Sequence, residues 1–198
     1  LTPPIDLDAL VSFFMTVGDI SGGVPPEVAV KVGVFAQEAQ TPPIEERREV
    51  IAWRLPSHEW PSAPFLVTTA DTRTGELVVL DKASGVPLVD AVMASCAVPG
   101  VWPPVPLLGR VLIDGGVLSL THLALAAGHD QVLVLVPMAG PVMRMVENEV
   151  AGLRAAGASV TVISADQQTV DAMGPNALDP AMRPAAAEAG LRQGRVSG

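Results

Sequence analysis

Cys96 is the only cysteine in the 198-residue sequence, so no internal disulfide can form, and the chain fits a reducing, cytoplasmic setting. Basic residues are scarce: 12 Lys and Arg stand against 21 Asp and Glu, a formal net charge of -9. A phosphate backbone needs a surplus of cations, so nucleic acid is excluded as an expected partner. A membrane-length apolar run is missing as well. The longest uncharged stretch, 91–109, carries Pro99, Pro103, Pro104 and Pro106, and no continuous helix passes through them. No transmembrane segment is expected, which leaves peripheral membrane contact open. Repeats and low-complexity tracts are absent too. The first residue is Leu1 rather than Met, so the native start, with any targeting peptide, is expected upstream.

What the chain does have is apolar material. Hydrophobic residues make up 49% of it, enough for one sizeable core, and a single domain over 1–198 is the expectation. Residues 5–17 (IDLDALVSFFMTV) read as a buried helix with Asp6 in its first turn. Pro26 opens a second helix to about Gln40. A third is expected over 41–55, with Thr41 as its cap, Pro42 and Pro43 in its first turn, and Glu45 and Glu46 at the positive end of its dipole. From Phe65 the pattern turns to short β-branched runs: FLVTTAD, then LVVLD after a Gly75 turn, then RVLID, QVLVLVP and SVTVISAD. Between them lie helical segments at 87–98, 142–157 and, at the end, 181–193, with a short helix at 121–128. Such alternation predicts an α/β fold: a mainly parallel central sheet with strands at 110–114, 131–136 and 159–164, flanked by helices, behind a helical N-terminal segment.

One stretch carries the chemistry. In VLIDGGV (111–117) a strand ends on Asp114 and runs straight into Gly115 and Gly116. On residue type alone such an aspartate is a turn former or helix cap. At a strand's carboxyl end, with two glycines leaving it unshielded, it also suits a base that accepts a proton from a nucleophilic hydroxyl, or that orients the group doing so. Other reactive residues fit plainer roles. His122 and His129 flank the short helix with no acid or cysteine at ligand spacing, so no metal is expected. Cys96 reads as a small buried hydrophobe, and Phe13 to Met15 as core rather than acyl pocket. No cofactor is expected: G-x-G-x-x-G is absent around VPMAGP (136–141), which ranks a nucleotide-binding domain last.

Taken in order, ASCAVPGVWPPV (94–105), GRVLIDGGV (109–117), a short helix ending Gly-His-Asp, and QVLVLVP resemble the patatin-like phospholipase family, as does TADTRTGE (69–76) upstream. The resemblance runs from about Phe65 to Pro137, with Trp102 at a position the family usually fills with Phe. It implies a serine acyl hydrolase acting on a lipid or small ester. In it a serine on a G-x-S-x-G turn is activated by the aspartate of D-G-[GA], and a glycine-rich loop supplies oxyanion donors. Carried over, Asp114 is the base, and Gly115 and Gly116 complete its motif. The sequence departs from the family in two respects: no glycine-rich loop follows an N-terminal strand, and the nucleophile motif is missing. No G-x-S-x-G occurs: GASVT (157–161) lacks the last glycine, and GDISGG (18–23) is misspaced. The expectation is therefore the C-terminal part of such a domain, holding the base without the nucleophile or the oxyanion loop, and inactive by itself. The alternative is a catalytically silent binding or scaffolding module of the same fold.

Overall fold

The computed structural model describes residues 24–139, 143–176 and 179–196. The expected helix at 5–17, with Asp6 and the Phe13–Met15 cluster, and the misspaced Ser21 motif lie outside them. The chain clusters into two compact units, one ending at Leu120 and one beginning at Thr121.

In the first unit, helices α1 (Pro26–Glu38) and α2 (Ile44–Arg54) precede strands β1 (Val67–Asp71) and β2 (Leu77–Leu80). Helix α3 (Leu88–Ser95) and strands β3 (Val105–Leu107) and β4 (Arg110–Asp114) follow. The strands form one sheet in the order β2-β1-β4-β3, antiparallel throughout. Side chains alternate across it, and both faces are covered. Val67, Leu80, Val105 and Leu112 pack with Met93 and Ala94 of α3 and Ile51 of α2. Ala70 and Ile113 turn the other way, onto Ala29, Val32 and Ala36 of α1. Helix α1 comes in close because Gly33 lies against the Thr72 backbone, where a Cβ would overlap it.

The α/β class holds, but 110–114 is not a parallel strand. Its unbroken apolar run comes from burial on both faces, which normally marks a parallel strand. Its direction is set instead by a two-residue turn. Leu107 pairs with Arg110, and Leu108 and Gly109 between them both have positive φ, at 54° and 70°. That is the hairpin turn whose twist suits two antiparallel strands. Strand β3 accepts Pro106 because it lies at the sheet edge. Thr41 does not cap α2 either. The residue before its first turn is Pro43, no side chain caps it, and the helix begins at Ile44.

In the second unit the parallel expectation holds. Strands β5 (Gln131–Val136) and β6 (Ser159–Ser164) pair in parallel across helix α4 (Met143–Ala155). Val134, Val136 and Val160 pack on Val146, Val150 and Leu153 of that helix. The short helix expected at 121–128 is a 3-10 turn over Leu123–Ala126, with the Leu123 N–H donating to Glu149 Oε2 at 2.8 Å.

Helices α5 (Gln167–Met173) and α6 (Arg183–Val196) close the chain. Asp166 fastens them together. It caps α5 through the Thr169 N–H at 2.8 Å and takes Arg192 of α6 through both oxygens, at 2.9 and 2.7 Å. Those bonds, Arg192 first, hold its pKa down from 3.8 to about 2. A depressed carboxylate contributes stability above its ordinary pKa and loses it as pH falls through the folded value. The junction of α5 and α6 is thus expected to loosen between about pH 4 and pH 2. Because Asp166 is partly exposed, the effect is modest and weakens in high salt. Acid melts of Asp166→Asn, which keeps the cap but drops the ion pair, should be flatter across that window. An identical acid profile would disprove the assignment.

Candidate active site at the end of strand β4

Strand β4 carries Asp114 to the end of the sheet, opposite Thr69 of β1. There the Asp114 N–H leaves the ladder and donates to the Ala97 carbonyl at 3.1 Å, tying the strand end to the segment after α3. The chain then turns at once into a 3-10 turn over Gly115–Val117. Asp114 Oδ1 accepts the Gly116 N–H at 2.8 Å. This is a local cap of the kind a turn-forming aspartate makes, and it also fixes where the carboxylate points.

The two glycines have different reasons to be there. Gly115 is buried, and a Cβ on it would stand 2.7 Å from the Thr68 carbonyl oxygen and 2.8 Å from its carbon. Only hydrogen fits between β1 and the turn. Gly116 is exposed, and among the described residues its Cβ would meet only the Asp114 side chain, at 3.0 Å from Oδ1. The first glycine permits a backbone approach, and the second spares the carboxylate a close contact with a Cβ.

Cys96 ends α3, next to Ala97, and packs against the core cluster around Leu112. Burial pushes its thiol pKa up, the negative charge of Asp114 adds to this, and Arg47 and Arg54 oppose it. A thiol so held is protonated and a poor nucleophile, in keeping with a small buried hydrophobe. A second aspartate shows the contrast with Asp114. Asp71, at the end of β1, is fully buried. Burial alone would raise its pKa, yet the Arg73 N–H at 2.8 Å, Arg110 Nη1 at 2.8 Å and the Thr74 N–H together bring it below the ordinary value. Those bonds commit it to the β1–β2 turn. Asp71 and Arg110 also line a cavity of about 390 Å³ at the opposite end of β4 from Asp114.

Sequence reasoning missed Arg47. In IEERREV it reads as part of a solvated face, yet it is 5% exposed and its guanidinium carbon lies 3.8 Å from the centroid of the Trp102 ring. The signal was its spacing: Ile44, Arg47 and Ile51 share one face of α2, three and four residues apart. Trp102, in place of the usual Phe, gives the cation the best of the aromatic faces.

The remaining candidates are dispersed. His122 opens the 3-10 turn at Leu123 with φ at 48°, and His129 is exposed on the following loop. Ser159 opens β6 opposite Gln131. Among the described residues no group of three or more His, Cys, Asp or Glu is arranged to hold a metal ion. Among the same residues no helix is long and apolar enough to cross a membrane. Residues 29–126 match the family model described as Patatin-like phospholipase. The match starts upstream of Phe65, taking in most of α1 and all of α2, and ends before β5.

Proposed function

We propose, from the match of residues 29–126 to the family model described as Patatin-like phospholipase, a family of lipid acyl hydrolases, that Asp114 is the general base of a Ser-Asp dyad. Its serine would come from a segment outside these 198 residues, since no G-x-S-x-G occurs within them. The observation that carries this reading is the fixed carboxylate at the end of β4, oriented by the Gly116 N–H and followed by a turn that only a glycine at 115 allows.

In this reading Asp114 accepts the serine hydroxyl proton while the serine oxygen bonds to the ester carbonyl carbon. As the tetrahedral adduct collapses, the carbon–oxygen bond to the alcohol breaks, and the alcohol leaves with that proton. Water then attacks the acyl-serine, giving its proton to Asp114, which returns it to the serine oxygen as the fatty acid departs. No cofactor enters the balance.

We also assign both units to a single patatin-like domain, a reading supported by a family match that crosses the boundary at Leu120. The 198-residue chain alone is expected to hydrolyse short-chain p-nitrophenyl esters no faster than its heat-inactivated control. Turnover that survives repurification and stops with a serine-directed fluorophosphonate would reveal a nucleophile within the chain. For the dyad itself the test is Asp114→Asn in a protein that carries the serine. Lost hydrolysis at an unchanged melting temperature supports the base role. Full hydrolysis by the folded variant would end the base assignment, and a serine-bearing parent that hydrolyses nothing would leave the silent binding module as the better reading.

A further inference from the structure

Among the described residues, none forms an ion pair with Arg47. Its neighbour Arg48 pairs with Asp90 at 2.6 Å, and Arg110 pairs with Asp71 at 2.8 Å. Arg47 Nε and Nη1 are fully covered and have no hydrogen-bond partner among the described residues. Trp102 steadies the cation from one side, but indole offers a donor and no acceptor. The charged groups that act on Arg47 do not compensate it. Arg54 repels it, and the Cys96 thiol, which would favour the cation only when ionised, is held protonated by burial and by Asp114. In a chain of net charge -9, this is a place where positive charge is concentrated and unmatched.

Buried guanidinium groups are normally hydrogen-bonded on every covered N–H, and a covered cation without an acceptor is costly to keep. We propose that Arg47, backed by Trp102, is a receptor for a small oxyanion, a carboxylate or a phosphate. Arginine suits both groups, because its delocalised charge and rigid set of N–H donors match their oxygens. Arg54 adds to the attraction for an anion as it adds to the repulsion on Arg47. The inference rests on burial, unpaired donors and the ring contact, and does not depend on the role of Asp114.

The test is the melting temperature of the 198-residue chain with inorganic phosphate or sodium octanoate, each at ionic strength matched by sodium chloride. A bound anion should raise Tm with the logarithm of its concentration, by roughly 5–10 °C when it stands at about 100 times its Kd. A rise with phosphate alone identifies a phosphate site, whether for a free or a headgroup phosphate. A rise with octanoate alone identifies a carboxylate site. Arg47→Met, which keeps the apolar stem and removes the charge, should melt at or above the parent without anion and lose the response. A second readout needs no variant: the Arg47 Nε–Hε resonance should shift saturably with the same anion. No Tm rise and no shift with either probe, or an equal rise in Arg47→Met, would overturn the proposal.

Discussion

Asp114→Asn, in a protein that carries the serine, should lower ester hydrolysis by about 10²–10⁴-fold, the usual contribution of a positioned general base. Its melting temperature should barely move. Asn keeps an oxygen that can accept the Gly116 N–H, and it serves turns and caps about as well as Asp. A purely structural Asp114 predicts little change in either quantity, so the two roles separate on rate alone. The substitution also has an internal check. The Asp114 charge helps to hold the Cys96 thiol pKa up, so in Asp114→Asn that thiol should titrate lower, though burial keeps it above the ordinary range. A folded variant with full hydrolysis would end the catalytic assignment, whatever the thiol does.

The elements that could be read in advance are those whose residues answer to one cause. Strands β5 and β6 and helix α4 combine β-branched runs with an amphipathic segment closed by glycine, and they form where the pattern puts them. The 110–114 strand was legible as a strand but not in its direction. Apolarity reports burial, and burial on both faces looks alike in parallel and antiparallel sheets. The deciding feature is the positive φ of Leu108, which nothing about leucine announces. Helix α5 went unread because its seven residues hold few apolar positions. Its place is set by Asp166, Arg192 and Gln193, whose contacts span 24 to 29 residues of sequence. At the candidate site, Asp114 and the glycines were legible from their motif. Arg47 was not, because a charged residue in a charged run looks solvated until its helix is docked.

The glycines should fail in opposite ways. Gly115→Ala would drive a methyl group against Thr68 backbone atoms at 2.7 and 2.8 Å, far inside any tolerated contact. Thr68 cannot yield cheaply, since it belongs to β1, which is paired on one side with β2 and on the other with β4. Overpacking of this kind costs about 1–3 kcal/mol and sometimes more, so the melting temperature should fall by several degrees. Because β4 must shift to relieve the clash, hydrolysis in a serine-bearing protein should fall with it. Among the described residues Gly116→Ala meets only a side chain, the Asp114 carboxylate, at 3.0 Å on an exposed turn. Its fold should survive with little loss of stability. Yet the carboxylate must rotate or retreat by a few tenths of an ångström, and a base displaced from its hydroxyl loses rate steeply. Gly115→Ala therefore weakens stability and rate together, whereas Gly116→Ala lowers rate with stability nearly intact. If Gly116→Ala hydrolyses at the parental rate while folded, the orientation of Asp114 by its own turn is not what the reaction uses. If Gly115→Ala melts with the parent, the close passage of β4 beside Thr68 is not what holds this end of the sheet together.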